Sequence, residues 1–159
     1  MSSKDKNLNL HENRNLEAIP DKRIAIVVSE WNSEITEALL QGCINALKEY
    51  LAKDSNIQVK YVPGSFELSY GASHEASKKD IDAVVCLGCI IKGETPHFDF
   101  ISQAVANGIT EVAIKFNKPT IFGVLTTNDQ EQARERAGGK HGNKGYEAGI
   151  TAIKMINFQ

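Results

Sequence analysis

The sequence has little cysteine, little net charge and no long apolar run. Three cysteines among 159 residues are too few, and an odd number, for a disulfide framework. With 18 basic and 20 acidic residues, the net charge of -2 offers little attraction to a nucleic acid or an anionic membrane. No segment is long and apolar enough to cross a bilayer, and residues 1–20 are polar, without a signal-peptide core. We therefore expect a cytoplasmic protein with neither nucleic-acid nor membrane partners.

Cys86 and Cys89 have the CxxC spacing that is common in metal and redox sites. They lie, however, in the apolar run VVCLGCII, which is typical of a buried strand. Side chains three residues apart on a strand point to opposite faces, so these thiols cannot easily share a metal or a bridge. We predict that both, together with Cys43, are small core residues, and we predict no metal site.

After residue 20, short β-branched runs alternate with longer amphipathic stretches. The predicted strands cover about 24–29, 57–61, 81–91 and 120–126. The predicted helices cover about 33–54, 66–79, 98–116, 129–137 and 146–156, with Asn32 or Ser33 capping the first and Asn128 or Asp129 capping the fourth. Successive βα units predict an α/β fold, a flavodoxin-like three-layer sandwich with a four-stranded parallel sheet and helices on both faces. Residues 21–159 then form one domain after a polar segment, 1–20.

Open parallel sheets bind ligands beyond the carboxyl ends of their strands. Here those ends are followed by loops at residues 30–32, 64–67, 92–97 and 126–128. In the third loop, Gly93 and Thr95 precede a helix start, where backbone amides, a hydroxyl and the positive helix end can bind a phosphate. The competing interpretation is that Thr95 only caps the helix and Gly93 only ends the strand.

Other side chains near these loops also have two interpretations each. His97, at the same helix start, suits proton transfer near neutral pH, although a lone histidine is more often a surface or capping residue. Trp31, the only tryptophan, either stacks on a heterocycle whose polar edge Asn32 supports or packs in the core. Arg136 and Lys140 either bind phosphate or are simply solvated.

Several motifs point to one family: PGSFE at 63–67, GCIIKGETPHFD at 88–99, FGVLT at 122–126, ERAG at 135–138 and GNKG at 142–145. In order and spacing they closely resemble the lumazine synthase family, and the likeness extends from about residue 23 to 157. The resemblance implies a transferase of riboflavin biosynthesis that needs no cofactor.

In that family, 5-amino-6-(D-ribitylamino)uracil condenses with 3,4-dihydroxy-2-butanone 4-phosphate to give 6,7-dimethyl-8-ribityllumazine, and phosphate and water are released. The resemblance implies that an imine forms between the amine and the ketone, phosphate is eliminated, and the second ring closes. Both substrates are intrinsically reactive, so proximity, orientation and proton transfer are sufficient catalysis.

The resemblance also implies the roles of individual residues. The pyrimidine and its ribityl chain contact residues that follow the first three strands, namely Trp31, Ser65, Phe66, Glu67, Cys89, Ile90 and Ile91. His97 transfers protons, with Glu135 near it. Glu94 and Thr95 flank the phosphate, and Arg136 pairs with it. The pocket is completed from an adjoining subunit by Phe122 and Lys140, so each site lies between subunits.

The assembly that the resemblance implies is a homopentamer in which the N-terminal segment adds to a neighbour's sheet. The short GGKHGNKG connection resembles members that form a hollow icosahedral shell of twelve pentamers, in which riboflavin synthase can be enclosed. Three positions depart from the common pattern of the family: Trp31 replaces phenylalanine, Lys92 replaces arginine and Ser69 replaces proline. Lys92 keeps the charge but loses the planar guanidinium.

Two other functions are compatible with the same pattern of strands and helices. A flavodoxin-like or receiver-type binding module shares it. However, SEWN at 29–32 offers one carboxylate where a receiver clusters several, and no Ser/Thr-rich loop for a flavin phosphate follows. A shell protein that has lost catalysis is the other alternative, but it would have no physical reason to retain a convergent set of polar residues, Glu67, Thr95, His97 and Arg136.

Overall fold

A computed structural model describes residues 16–50 and 52–158. Their strands are β1 (Ile24–Ser29), β2 (Ile57–Val62), β3 (Ala83–Ile91) and β4 (Thr120–Thr127), which form one parallel sheet in the order β2-β1-β3-β4. Their helices are α1 (Ser33–Glu49), α2 (Leu68–Ala76), α3 (His97–Phe116), α4 (Gln130–Glu135) and α5 (Lys144–Phe158). Short 3-10 turns occupy Asp54–Asn56 and Ser65–Glu67.

Each face of the sheet has its own hydrophobic core. Helices α1 and α5 cover one face, where residues such as Ile26, Leu39 and Ile153 pack together. Helices α2 and α3 cover the other face, where Val27 packs with residues such as Leu68. Strand β1 is buried throughout and β3 up to its last residue, because successive side chains enter opposite cores. The predicted flavodoxin-like three-layer sandwich is confirmed.

The prediction that the cysteines are core residues is also confirmed. Cys43, Cys86 and Cys89 are buried and form no disulfide. Cys86 lies in the core beneath α2 and α3, whereas Cys89 lies in the core beneath α1 and α5. The two thiols of the CxxC spacing therefore point to opposite faces of the sheet, as strand geometry requires.

Two predicted helix boundaries were wrong. The first helix was expected to reach residue 54, but α1 ends at Glu49, where the amides of Tyr50 and Ala52 both donate to the Leu47 carbonyl. The second was expected to cover 66–79, but it is divided into the 3-10 turn and the shorter α2. For the fourth helix, Asp129 is the cap, since its carboxylate accepts from an amide in the first turn of α4 at 2.8 Å.

The glycine-rich connection between α4 and α5 forms a small hairpin. Strands β5 (Ala137–Gly139) and β6 (Gly142–Asn143) pair antiparallel. Gly138 and Gly142 have φ angles of 120° and 79°, which favour glycine. The Asn143 side chain donates to a carbonyl of α1 and accepts from two amides at the start of α5, so it fixes the hairpin between these helices.

Residues 16–20 lie against the same chain. Ile19 is buried, and the Glu17 amide donates to the Asn157 side chain at 2.8 Å. The predicted pairing of the N-terminal segment with a neighbour's sheet otherwise concerns residues 1–15, which lie outside the described residues. Over the described ranges, no helix is both long and apolar enough to cross a membrane.

Candidate active site

A cavity of about 500 Å³ lies beyond the carboxyl ends of β1, β2 and β3. It is lined by the turns that follow these strands and by the first residues of α3, namely Trp31, Asn32, Gly64, Ser65, Phe66, Glu67, Cys89, Ile90, Ile91, His97 and Ile101. This is the edge at which parallel sheets bind ligands. Eight of the predicted site residues therefore line one cavity: Trp31, Ser65, Phe66, Glu67, Cys89, Ile90, Ile91 and His97.

Trp31 forms a wall of this cavity and is 73% exposed. Its amide donates to the Pro63 carbonyl at 3.1 Å, and the Glu30 amide donates to the Val62 carbonyl at 2.8 Å. These two bonds extend the pairing between β1 and β2 into the turns that follow the two strands. The core-packing interpretation of Trp31 is therefore wrong, and the face of the indole is accessible to a planar ligand.

The turn between β2 and α2 contributes a buried hydroxyl and two exposed side chains. Ser65 is only 7% exposed, and its Oγ has no hydrogen-bond partner among the described residues. Phe66 and Glu67 are exposed. The close approach of Ser65 to β3 favours glycine at position 88, because a Cβ on Gly88 would lie 2.7 Å from the Ser65 Oγ and displace it. A buried hydroxyl without a partner on a cavity wall suits a hydrogen bond to a polar ligand.

The end of β3 exposes backbone groups to the cavity. The β1–β3 ladder stops at the Val28–Leu87 pair, whereas β3 continues beside β4 as far as Ile91. The amides of Val84 and Lys92 both donate to carbonyls on the β4 side. Because the backbone groups of successive strand residues point to alternate sides, the N–H and C=O of Ile91 point to the opposite side, where β1 no longer pairs with β3. A donor and an acceptor are thus available on one strand edge, next to Trp31.

Cys89 contributes a thiol that is poorly suited to chemistry. Burial raises the pKa of Cys89 from 9.0 to about 11, and it raises the pKa of Cys43 and Cys86 to about 12. A thiol with so high a pKa is a poor nucleophile at neutral pH. Over the described residues, no group of three or more His, Cys, Asp or Glu side chains is placed to hold a metal ion.

His97 is the first residue of α3 and is the only cavity-lining imidazole in the described part of the chain. It is exposed, so it can exchange protons with both a ligand and solvent. The helix begins after Pro96, with no side-chain cap, so the interpretation of Thr95 as a capping side chain was wrong. Glu94 and Thr95 are exposed in the loop before His97 and do not line the cavity.

The remaining predicted site residues lie away from this cavity in the same chain. Phe122 is in the middle of β4, partly buried against the core beneath α2 and α3. Glu135 ends α4, and its carboxylate accepts from the Lys140 amide at 3.0 Å. The Lys140 ammonium is mostly exposed and lies 3.9 Å from the same carboxylate. None of these side chains, nor that of Arg136, lines the cavity.

Arg136 is held by a buried carboxylate. Its Nη2 lies 3.0 and 3.2 Å from the two oxygens of Glu147, and its Nη1 donates to the His141 carbonyl. The Glu147 side chain is only 4% exposed and also contacts the Lys144 ammonium at 3.3 Å. The simply solvated interpretation of Arg136 is therefore wrong, because its guanidinium has a defined orientation.

Sequence reasoning missed three kinds of contribution. Gly64 lines the cavity with its backbone and Ile101 with an apolar side chain, and neither contribution can be recognised from a motif in the sequence. Asn32 had been considered as a cap or as a contact for the ligand, but its amide bonds to the Cys89 carbonyl. Glu147 could have been found, because a carboxylate among the apolar residues of the last helix requires a buried partner.

Comparisons with known proteins agree on one family. The family model described as 6,7-dimethyl-8-ribityllumazine synthase matches residues 21–159. A protein of that name from Cytophaga hutchinsonii is 57% identical over 156 residues, which cover 98% of each chain. A protein of the same name from Parabacteroides distasonis is 48% identical over 99% of this chain and 99% of its own length. Another from Bacteroides fragilis is 54% identical over 86% of this chain and 95% of its own length. The chain therefore belongs to the 6,7-dimethyl-8-ribityllumazine synthase family, which is a family of transferases.

Proposed function

We propose that the protein condenses 5-amino-6-(D-ribitylamino)uracil with 3,4-dihydroxy-2-butanone 4-phosphate to give 6,7-dimethyl-8-ribityllumazine, the penultimate step of riboflavin biosynthesis. Membership of the family and the name of its relatives support the identity of the product. The observation that carries the proposal is the cavity itself, in which the exposed indole of Trp31 stands beside the open backbone edge of β3. A flat heterocycle with hydrogen-bonding edges has the shape and chemistry that this pair of surfaces accepts.

The diamine substrate would use both surfaces at once. Its pyrimidine would stack on Trp31 while its imide edge bonds to backbone groups at Cys89–Ile91, with Phe66 covering the other side. The ribityl hydroxyls would bond to the buried Ser65 Oγ and to the Glu67 carboxylate. The orphan hydroxyl of Ser65 favours this placement, since a hydroxyl-rich chain can supply the partner that the described residues do not.

The reaction needs proton transfer and orientation more than covalent catalysis. The primary amine attacks the ketone, and loss of water gives the imine. Loss of the C3 proton and of the C4 phosphate then leaves an enol, whose tautomerisation produces a new ketone at C3. Attack of the ribityl-bearing nitrogen on this ketone closes the ring with loss of a second water. His97 would take the proton that the attacking amine loses and would return it to the departing oxygen.

The phosphate requires cations that the cavity of one chain does not supply. In the described residues, no Lys or Arg side chain lines the cavity. Glu94 and Thr95 would flank the phosphate, while its charge would be bound by Arg136 and Lys140 of an adjoining copy. Glu135 and Phe122 of that copy would complete the pocket near His97. The orientation of Arg136, fixed by a buried carboxylate, supports this role because a pre-aligned guanidinium binds phosphate in a fork.

Sharing of the site requires an oligomer, which we propose to be a homopentamer, twelve of which form an icosahedral shell that can enclose riboflavin synthase. Exposed apolar side chains on α2 and α3, namely Tyr70, Phe100 and Ile114, support association through these helices. The short connection before α5 favours the shell. Sedimentation at shell size would support this assembly, and free pentamers alone would refute the shell. Three free cysteines support a cytoplasmic location.

The direct test is to follow lumazine formation by absorbance, above the uncatalysed background, after mixing the protein with both substrates. We expect His97→Ala and Arg136→Ala to lose most of the acceleration, in the first case without weakening phosphate binding. Matched controls are His74→Ala, in the last turn of α2, and Arg23→Ala, at the opposite edge of the sheet, which should retain it. No acceleration by a folded oligomer would favour the shell-protein or binding-module alternatives instead.

Coexpression of the two inactive variants tests whether the site is shared. If His97 and Arg136 act from different copies, random mixing leaves about a quarter of the interfaces with both groups intact, so about a quarter of the activity should return. Because each chain carries one of the two substitutions, a site built within one chain would stay inactive in every mixture. The ratio of the variants can be varied to check the predicted dependence.

A further inference from the structure

Asn32 has an unusual conformation at the junction of β1 and α1. Its φ and ψ angles of 61° and 44° lie in the left-handed region, which asparagine tolerates better than most residues. Asparagine is also a preferred helix cap, but this side chain makes no capping hydrogen bond. Only the backbone carbonyl of Asn32 serves α1, accepting from the amides of Ile35 and Thr36.

The Asn32 side chain instead spans the gap that opens between β1 and β3. Its Nδ2 donates to the Cys89 carbonyl at 2.9 Å. The regular ladder between these strands ends two residues earlier on β3, at Leu87. The side-chain amide therefore takes the place of a missing strand partner. A reversed amide would set two oxygens against each other, so the hydrogen-bonding pattern fixes its orientation.

This contact connects the two surfaces that we assign to heterocycle recognition. On the β2 side, the backbone of Trp31 is bonded to Pro63, and on the β3 side its neighbour Asn32 is bonded to Cys89. The indole itself is 73% exposed, so little packing holds it in place. The backbone bond to Pro63 holds Trp31 on the β2 side, and on the β3 side the spacing between the indole and the strand edge depends on the conformation and the side-chain bond of Asn32.

We propose that Asn32 is a positioning residue for the heterocycle, which holds the Trp31 wall at a fixed distance from the backbone edge of β3. By occupying the Cys89 carbonyl, it also leaves the Cys89 N–H and the groups of Ile91 as the ones that the ligand meets. The identity of the ligand rests on the proposed function. The positioning itself is a property of the ligand-free protein and can be measured without catalysis.

The single tryptophan makes this measurement direct, because all indole fluorescence comes from Trp31. Asn32→Gly keeps access to the left-handed region but removes the amide, and Asn32→Asp places a carboxylate oxygen against the Cys89 carbonyl. The matched control is Asn117→Gly, since Asn117 has a φ of 49° at the end of α3, at the opposite edge of the sheet. In the ligand-free protein we expect lower anisotropy of Trp31 in both Asn32 variants and no change in the control.

With the diamine added, quenching of Trp31 gives its dissociation constant. We expect this constant to rise about tenfold in Asn32→Gly, as for the loss of one hydrogen bond, and further in Asn32→Asp. The KM for the diamine should rise in parallel, while the KM for the butanone phosphate should change less than about twofold. Circular dichroism and thermal unfolding would verify that the variants are folded.

If Asn32→Gly kept the Trp31 anisotropy and the diamine affinity of the wild type, the inference would be overturned. An equal rise in the KM values of both substrates would also overturn it, because that result indicates a general structural role. These results differ from failure of the proposed function, in which the wild-type protein forms no lumazine. In that event the ligand-free anisotropy still decides whether Asn32 positions the indole.

Discussion

Replacing Ser65 with alanine should separate stability from function. The Ser65 Oγ is buried at the cavity wall and has no partner among the described residues, so the folded state gains no hydrogen bond from it. An unsatisfied buried hydroxyl costs about 1–3 kcal/mol, and rotation of the hydroxyl toward water in the cavity reduces that cost. We therefore expect the free energy of unfolding to rise by ~0–1 kcal/mol, or the melting temperature by at most about 4 °C. Alanine keeps the Cβ, so packing around the residue is preserved.

Binding should change in the opposite direction. If the Ser65 Oγ bonds to the ribityl chain, Ser65→Ala should weaken diamine binding by up to about tenfold. Thermal unfolding and titration of Trp31 fluorescence measure the two effects on one sample. Ser102→Ala is the matched control, since the Ser102 Oγ is also buried without a partner but lies outside the cavity. A loss of stability above about 1 kcal/mol would show that the hydroxyl is bonded within the fold, and unchanged affinity would show that it does not meet the ligand.

Three further outcomes follow from the packing. Gly88→Ala places a Cβ 2.7 Å from the Ser65 Oγ and 2.9 Å from Leu68, so we expect a loss of ~1–3 kcal/mol in urea unfolding and a higher KM for the diamine. Glu147→Ala leaves the partly buried Arg136 without its carboxylate and should cost about 2–3 kcal/mol in the same assay; less than half of this would contradict a structural ion pair. Because burial raises the thiol pKa values from 9.0 to about 11 or 12, the folded thiols keep protons that unfolded thiols lose. The free energy of unfolding should therefore fall as the pH rises above 9, and a thiol reagent that labelled the native protein rapidly at pH 8 would contradict this burial.

The strands were predictable because each is a short β-branched run between turn residues, and burial on both faces of β1 and β3 leaves a continuous apolar pattern. The end of α1 was not predictable, because it is set by residues distant in sequence. The Ile19 amide bonds to the Tyr50 carbonyl, just after the last turn of α1. A helical pattern that continues past such a contact gives no local sign that the helix has stopped.

The candidate site was predictable to the extent that it consists of unusual side chains in loops after strands. Trp31 and His97 stand out in this way, and both line the cavity. Ser65 and Cys89 do not stand out, because serine is common in turns and cysteine is common in buried strands. Only the resemblance to the family identified them. The role of Asn32 depends on a bond across 57 positions, and its preference for helix caps indicated a different role.

The separation of the proposed site into two parts has a consequence for the symmetry of the assembly. The cavity with Trp31 and His97 lies at the carboxyl ends of the first three strands, whereas Arg136 is anchored by Glu147 to α5 and does not line it. Two copies that share a site must therefore present different surfaces to each other, the cavity from one and the Arg136 region from the next. In a two-fold dimer each cavity would meet the Arg136 region of the partner across one self-complementary patch, whereas in a head-to-tail ring each copy gives its cavity to one neighbour and its Arg136 region to the other. A ring such as the proposed pentamer completes every site with one kind of interface, and any open chain of copies would leave the cavity at one end without its phosphate-binding cations.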